Sequence, residues 1–184
     1  PVEYRRQVAM PQGYVDAFSK NENYYDSFRQ VMDRGMSAIG YQQKRQDYQN
    51  QSGPVRRGIG MALFWYNTAV WPISLESCSC RMVLNQDGSV QVQTGETEIG
   101  QGCDTAFAQM AADAIGIPFA DVHMVSTQDT DLTPFGTGAY ASRQTYVGGF
   151  ALRQTGELLR DKILSCAVEL TRQAKENLDL IDGK

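Results

Sequence analysis

The stretch that most constrains this chain runs from Gly95 to Pro118, because both ends of a helix are written into it. Phe107, Met110, Ala111, Ala114 and Ile115 recur at i, i+3, i+4, i+7 and i+8, which places them on one buried stripe. Asp104 or Thr105 stands where a side chain caps the free N–H groups of a first turn. Gly116 can take the left-handed position after the last turn, and Pro118 blocks continuation. The pattern predicts an amphipathic helix opening at about residue 104. Just before it, Gly100-Gln101-Gly102 turns the chain after a strand that ends near Thr94. Glycines let backbone N–H groups approach a ligand, and a helix start adds partial positive charge, so such a turn suits a phosphate as well as serving as a plain tight turn. Gln101 adds an uncharged amide with donors and an acceptor.

Length and charge bound the rest. At 184 residues the chain can bury a real core as one medium domain or two small lobes. A net charge of −4 and a pI near 5.0 leave no electrostatic footprint for nucleic acid or an anionic membrane. Met61 to Trp65, the longest apolar run, is too short to span a bilayer. Cys78, Cys80, Cys103 and Cys166 lack zinc spacing, and His123 is the sole histidine, so no metal site built from side chains is expected. Buried thiols fit a reducing compartment, and the expected location is cytoplasmic. The start at Pro1 and the Asp182-Gly183 turn signal before Lys184 fit an interior piece of a longer polypeptide.

Taken in order, residues 1–56 read as a helical N-terminal segment and linker. A short helix spans about 1–10, a tyrosine-rich loop 14–25, and a packing helix follows Asp26 with Phe28, Val31, Met32, Gly35 and Ile39 on one face and Gly40 as its stop. Residues 57–184 read as an α+β lobe, incomplete at its C-terminus. Gly58–Tyr66 has the apolar character of a buried strand. Leu75–Leu84 and Ser89–Gln93 form a hairpin around Asn85-Gln86-Asp87-Gly88, with Cys78, Cys80, Met82 and Leu84 on one face. Trp71 lies in the loop between the first two strands. After the central helix comes a short strand at 121–126, then a long loop whose Asp129 and Asp131 have metal-ligand spacing but are equally good turn formers. Ser142 is expected to cap a last long helix with Ala151, Leu152, Thr155, Leu158, Leu159, Ile163, Cys166 and Leu170 on its face. The overall expectation is a small antiparallel or mixed sheet packed by two long helices. Both helix starts carry polar groups, and Gln101 and the Ser142-Arg143 corner are expected to converge on one anionic ligand.

These motifs carry a family resemblance. Asp87-Gly88-Ser89-Val90, Gly95-Glu96-Thr97-Glu98-Ile99-Gly100-Gln101-Gly102, Gly116-Ile117-Pro118, Asp129-Thr130 and Gly138-Ala139-Tyr140-Ala141-Ser142-Arg143-Gln144-Thr145 together resemble the molybdenum-binding subunit of xanthine dehydrogenase-type molybdenum hydroxylases. The variant with Pro134-Phe135 and Ala141-Ser142-Arg143 is most similar to bacterial purine or nicotinate hydroxylases. The resemblance implies that Gly100, Gln101, Gly102, Ala141, Ser142, Arg143 and Gln144 contact a molybdopterin cofactor bearing molybdenum, in mononucleotide or dinucleotide form. Tyr140, Ala141 and Trp71 would lie near the substrate. It also implies hydroxylation of a purine-like N-heterocycle or an aldehyde with oxygen from water, with electrons leaving to 2Fe-2S and FAD centres on other domains or subunits.

The family's general-base glutamate belongs to a Gly-Val-Gly-Glu type motif, which does not occur here, and neither do iron–sulfur cysteine motifs. The expected partners are the remainder of the molybdenum subunit, the iron–sulfur and FAD components and a small heterocycle. The isolated chain is expected to hold half a cradle and no activity. The alternative is a non-catalytic interaction or assembly domain of the same fold. An unrelated phosphate-binding enzyme would require a P-loop lysine that is missing.

Overall fold

The computed structural model describes residues 1–66, 68–70, 76–125 and 129–184. It divides into two compact units, Pro1–Tyr66 and Asn67–Lys184.

In the first unit, helices α1 (Val2–Val8), α2 (Ser27–Ala38) and α3 (Tyr41–Asp47) gather around Val2, Met32 and Tyr41. Gly40, left-handed at φ 60°, turns α2 into α3. The tyrosine-rich loop is a hairpin-like turn with Val15 bridged to Glu22, and the Asp16 carboxylate accepts the amides of Phe18 and Ser19 at its tip. Residues 58–66 do not form the buried strand expected of them. They are not assigned to any strand, and Ile59, Met61 and Leu63 pack instead on the helical cluster. An alternating apolar run buries equally well against helices, so its periodicity does not specify a sheet.

The second unit is built on a mixed three-stranded sheet of β1 (Cys80–Leu84), β2 (Val90–Thr94) and β3 (Val122–Met124). β1 pairs antiparallel with β2 through the expected hairpin, with Met82 opposite Val92. β2 and β3 run parallel, joined by α4 (Cys103–Ile115) in a strand–helix–strand crossover. Val90 and Val92 point inward and are wholly buried, as are Phe107, Ala111 and Ile115 of α4. α5 (Gly149–Thr171) lies against α4 and adds Leu152 to the same core. The result is the α+β arrangement the sequence predicts, a mixed sheet packed by two long helices.

Two faces differ from expectation. On β1, Cys80 and Met82 pack on the core while Leu84, at the hairpin end, is exposed. On α5 the buried face is Leu152, Gly156, Leu159 and Ile163, whereas Leu158, Cys166 and Leu170 face outward. Gly156 sets this rotation. A Cβ there would stand 2.7 Å from that of Ala114, so the two helix backbones approach where both residues are small. No helix among the described residues is long and apolar enough to cross a membrane.

Candidate cofactor site

The first corner begins where β2 ends. Gly95 passes directly against the loop 134–136, and a Cβ on either Gly95 or Gly136 would overlap the other's backbone. Beyond it, Gly100 and Gly102 adopt φ of 96° and 84°, left-handed values that favour glycine. The helix cap is neither Asp104 nor Thr105. The carboxylate of Glu98 accepts the amides of Gly100 (2.7 Å), Gly102 (3.0 Å) and Asp104 (3.1 Å). Bonds from the Asp104 and Gly102 amides hold its carboxyl below the ordinary glutamate range. The anion seat at this helix start is therefore filled by the chain itself. With Asp104 beside it, the corner disfavours a second anion and presents neutral amides instead.

The second corner is a tight turn at Tyr140–Arg143. The Arg143 amide donates to the Tyr140 carbonyl at 3.0 Å, and Ala141 and Ser142 sit at φ 47° and 52°. Two successive left-handed residues define a type I′ turn, which normally takes glycine or asparagine. With Ala and Ser the conformation costs roughly 1–2 kcal/mol per residue. Ser142 consequently does not cap the following helix. The chain instead enters one π-helical turn, Gln144–Gly148, which runs into α5.

Arg143 holds this turn from beneath. Its side chain is fully buried, donating from Nε to Glu76 (2.9 Å) and from Nη1 to Glu96 (2.6 Å). Nη1 also reaches the Gly138 carbonyl (3.0 Å), Nη2 reaches the Ser77 carbonyl (2.5 Å), and the guanidinium lies 5.6 Å from the Tyr140 ring centroid. Burial works against its charge, but the bonds to Glu76 and Glu96 raise its pKa all the same. The anions it faces belong to the protein.

The two corners converge. Gln101 Nε2 donates to Gln144 Oε1, 43 residues away in sequence. Both amides also donate to the Thr97 carbonyl, at 3.0 and 2.8 Å, and Gln101 Oε1 accepts the Ile99 amide at 2.7 Å. Around this knot Gly100, Gln101, Gly102 and Ser142 are exposed, and Ala141 and Gln144 are buried at its base. Nothing lies within 4 Å of where a Cβ would stand on Gly100 or Gly102. The arrangement is an uncharged shelf of amides with open space above two glycines. Residues 34–184 match the family model of the molybdopterin cofactor-binding domain.

The chain belongs to that family.

Its relatives agree. The domain is 43% identical over 183 residues to the xanthine dehydrogenase molybdenum-binding subunit of Escherichia coli O157:H7, covering 100% of this chain and 24% of that one. It is 26% identical over 167 residues to the nicotine 6-hydroxylase large subunit of Paenarthrobacter nicotinovorans, covering 85% of this chain and 20% of that one. In structure it resembles quinoline 2-oxidoreductase from Pseudomonas putida 86, with a TM-score of 0.61 at 22% identity over 99% of this chain and 24% of that chain, which shows a shared fold. The domain thus spans about a quarter of the length of the relatives it matches.

Within this molybdopterin cofactor-binding domain, Tyr140 is partly exposed at the edge of the second corner, next to Ala141. Trp71 lies outside the described residues. Asp129 acts as a turn former, its carboxylate accepting the Asp131 amide at 2.9 Å. Glu98, Cys103 and Asp104 come within 4.8 Å of one another, but Glu98 is committed to three amides and burial pushes the Cys103 thiol up to about 12. Neither is ready to ligate a metal. A groove of 940 Å³ opens beside Ser142, lined by Met110, Tyr146, Phe150 and Arg153, and a hollow of 380 Å³ is framed by Thr97, Phe135, Thr137 and Gly138. Sequence reasoning missed Glu76, Glu96 and Glu98. A signal for Glu96 did exist: continuing the inward alternation of Val90, Val92 and Thr94 puts Glu96 inside, where a carboxylate demands a cation.

Proposed function

We propose that this chain forms part of the molybdopterin cradle of a xanthine dehydrogenase-like molybdenum hydroxylase. The observation that carries the reading is the meeting of Gln101 and Gln144 over the Thr97 carbonyl. The fit is specific to one portion of the cofactor. A pterin presents a flat edge of neutral donors and acceptors, which matches amides and open glycines; a phosphate would meet Glu98 and Asp104. Gly100 and Gly102 let the ring edge come close to the backbone, and Gln101 and Gln144 read its polarity. Ala141 lines the base beside them, and Ser142 offers a hydroxyl from the second corner. Arg143 serves through the turn it supports.

Tyr140, Ala141 and Trp71 are the residues we assign to substrate, a purine-like N-heterocycle or an aldehyde. When bound, the molybdenum cofactor supplies the two-electron oxidation that inserts oxygen from water. The protein groups of this chain bind and orient; the general base is assigned to another part of the subunit. FAD and 2Fe-2S centres on other domains or subunits take the electrons in the cytoplasm. The alternative, a non-catalytic assembly domain, has no need for the two corners to meet, and their meeting favours the cradle.

The test is co-expression with the remainder of the subunit and its partners, followed by molybdenum and released-pterin analysis. Replacing both Gln101 and Gln144 by Ala is expected to lower cofactor content by about tenfold or more at unchanged folding. Wild-type content in that variant would refute the assignment.

A further inference from the structure

The buried ions beneath the amide shelf are more than ordinary core. Glu96 leaves β2 five residues before Gln101, and Arg143 immediately precedes Gln144, so their 2.6 Å pair ties together the stems of both corners. Glu76 and the Ser77 carbonyl fix the guanidinium from a third segment. The Gly138 carbonyl and the Tyr140 ring fix it to the loop that carries the left-handed turn. Glu96 also fits tightly under the π-helical turn, since a Cβ on Gly148 would lie 2.9 Å from its Cγ. A guanidinium can satisfy these partners simultaneously because its five donors lie in one plane; an ammonium has three donors around a point.

We infer that Arg143 is a positioning residue, which through Glu96 and Glu76 sets the distance between Gln101 and Gln144 and keeps Ala141 and Ser142 left-handed. It therefore governs how firmly the cofactor is held without touching it. This rests on the cradle reading for the cofactor arm of its test, while the turn arm stands alone.

Four forms of the full-length assembled protein decide the matter: wild type, Arg143→Lys, Ala141→Gly and the double variant. Hydrogen exchange at residues 141–145, the rate of pterin release and the melting temperature are read on each. Arg143→Lys keeps the charge and loses the planar fork. It is expected to speed exchange at 141–145 and pterin release by roughly tenfold, the scale of losses when an outer support of a site is removed. In the double variant, glycine adopts φ 47° without penalty, so slow exchange and cofactor retention return in part. Direct cofactor contact by Arg143 would give no such rescue.

Wild-type exchange in Arg143→Lys overturns the inference, as does faster release that Ala141→Gly leaves unchanged. Should Arg143→Lys fail to fold, Glu96→Gln, which keeps shape and removes the counter-charge, is expected to raise exchange at the same residues, and unchanged exchange there overturns it. If the wild-type assembly holds no pterin, the cradle reading fails while the exchange result still tests the turn.

Discussion

Glu98 takes the amides of Gly100, Gly102 and Asp104, and those bonds hold its carboxyl below the usual glutamate range. A carboxyl lowered on folding contributes stability that is fully present above about pH 4.3 and is lost as pH falls through the lowered value. Glu98→Gln is therefore expected to be less stable than wild type in urea at about pH 6, and the gap should close under strong acid. A constant gap across that range would mean that the charge of Glu98 is not what caps α4. The cysteines give a second prediction at this scale. Burial pushes the thiols of Cys78 up to about 11 and of Cys80 and Cys103 up to about 12, while Cys166 is exposed. At about pH 8 a disulfide reagent should modify Cys166 promptly and the other three only on unfolding, because the thiolate is the reacting species. Rapid loss of more than one thiol would contradict this.

The elements are held where backbones come close. Gly156→Val should cost about 1–3 kcal/mol in chemical denaturation, since the added methyls meet Ala114 and Ile115 of α4. Gly95→Ala should cost at least about 3 kcal/mol, because the clash is with backbone that cannot rotate aside. Helix α4 was legible in the sequence because its stripe and its Gly116 stop both follow from local geometry. The β1–β2 hairpin was legible for the same reason, through Asn85–Gly88. What failed depends on partners distant in sequence. Glu98 caps α4 from six residues before Asp104, outside the usual capping position, and the face of α5 was decided by Gly156 meeting Ala114 rather than by the apolar count. Ser142 looked like a cap because nothing local reveals that half-buried Glu76 and buried Glu96 hold Arg143 and bend the preceding residues left-handed. The convergence of the Gln101 turn with the Ser142-Arg143 corner was an expectation that only the fold could decide, and the contact falls on Gln144 rather than on Ser142 or Arg143.

At the scale of the molecule, the two units keep separate cores, one around Met32 and Tyr41 and one around Phe107 and Leu152. Met32→Ala is expected to destabilise the first by about 2–5 kcal/mol, read as lost exchange protection in α2 and α3 while β2 and α4 keep theirs. Loss throughout would show that the units unfold together. The crossing of Gly95 with Gly136 bears on how such a chain can change over time. Each would collide with main-chain atoms of the other loop, so trimming a neighbouring side chain gives no relief. Most tight contacts in a protein can drift as matched pairs, one residue growing as another shrinks. This one admits no trade, and the strand exit and the long loop are bound to inherit their two glycines together.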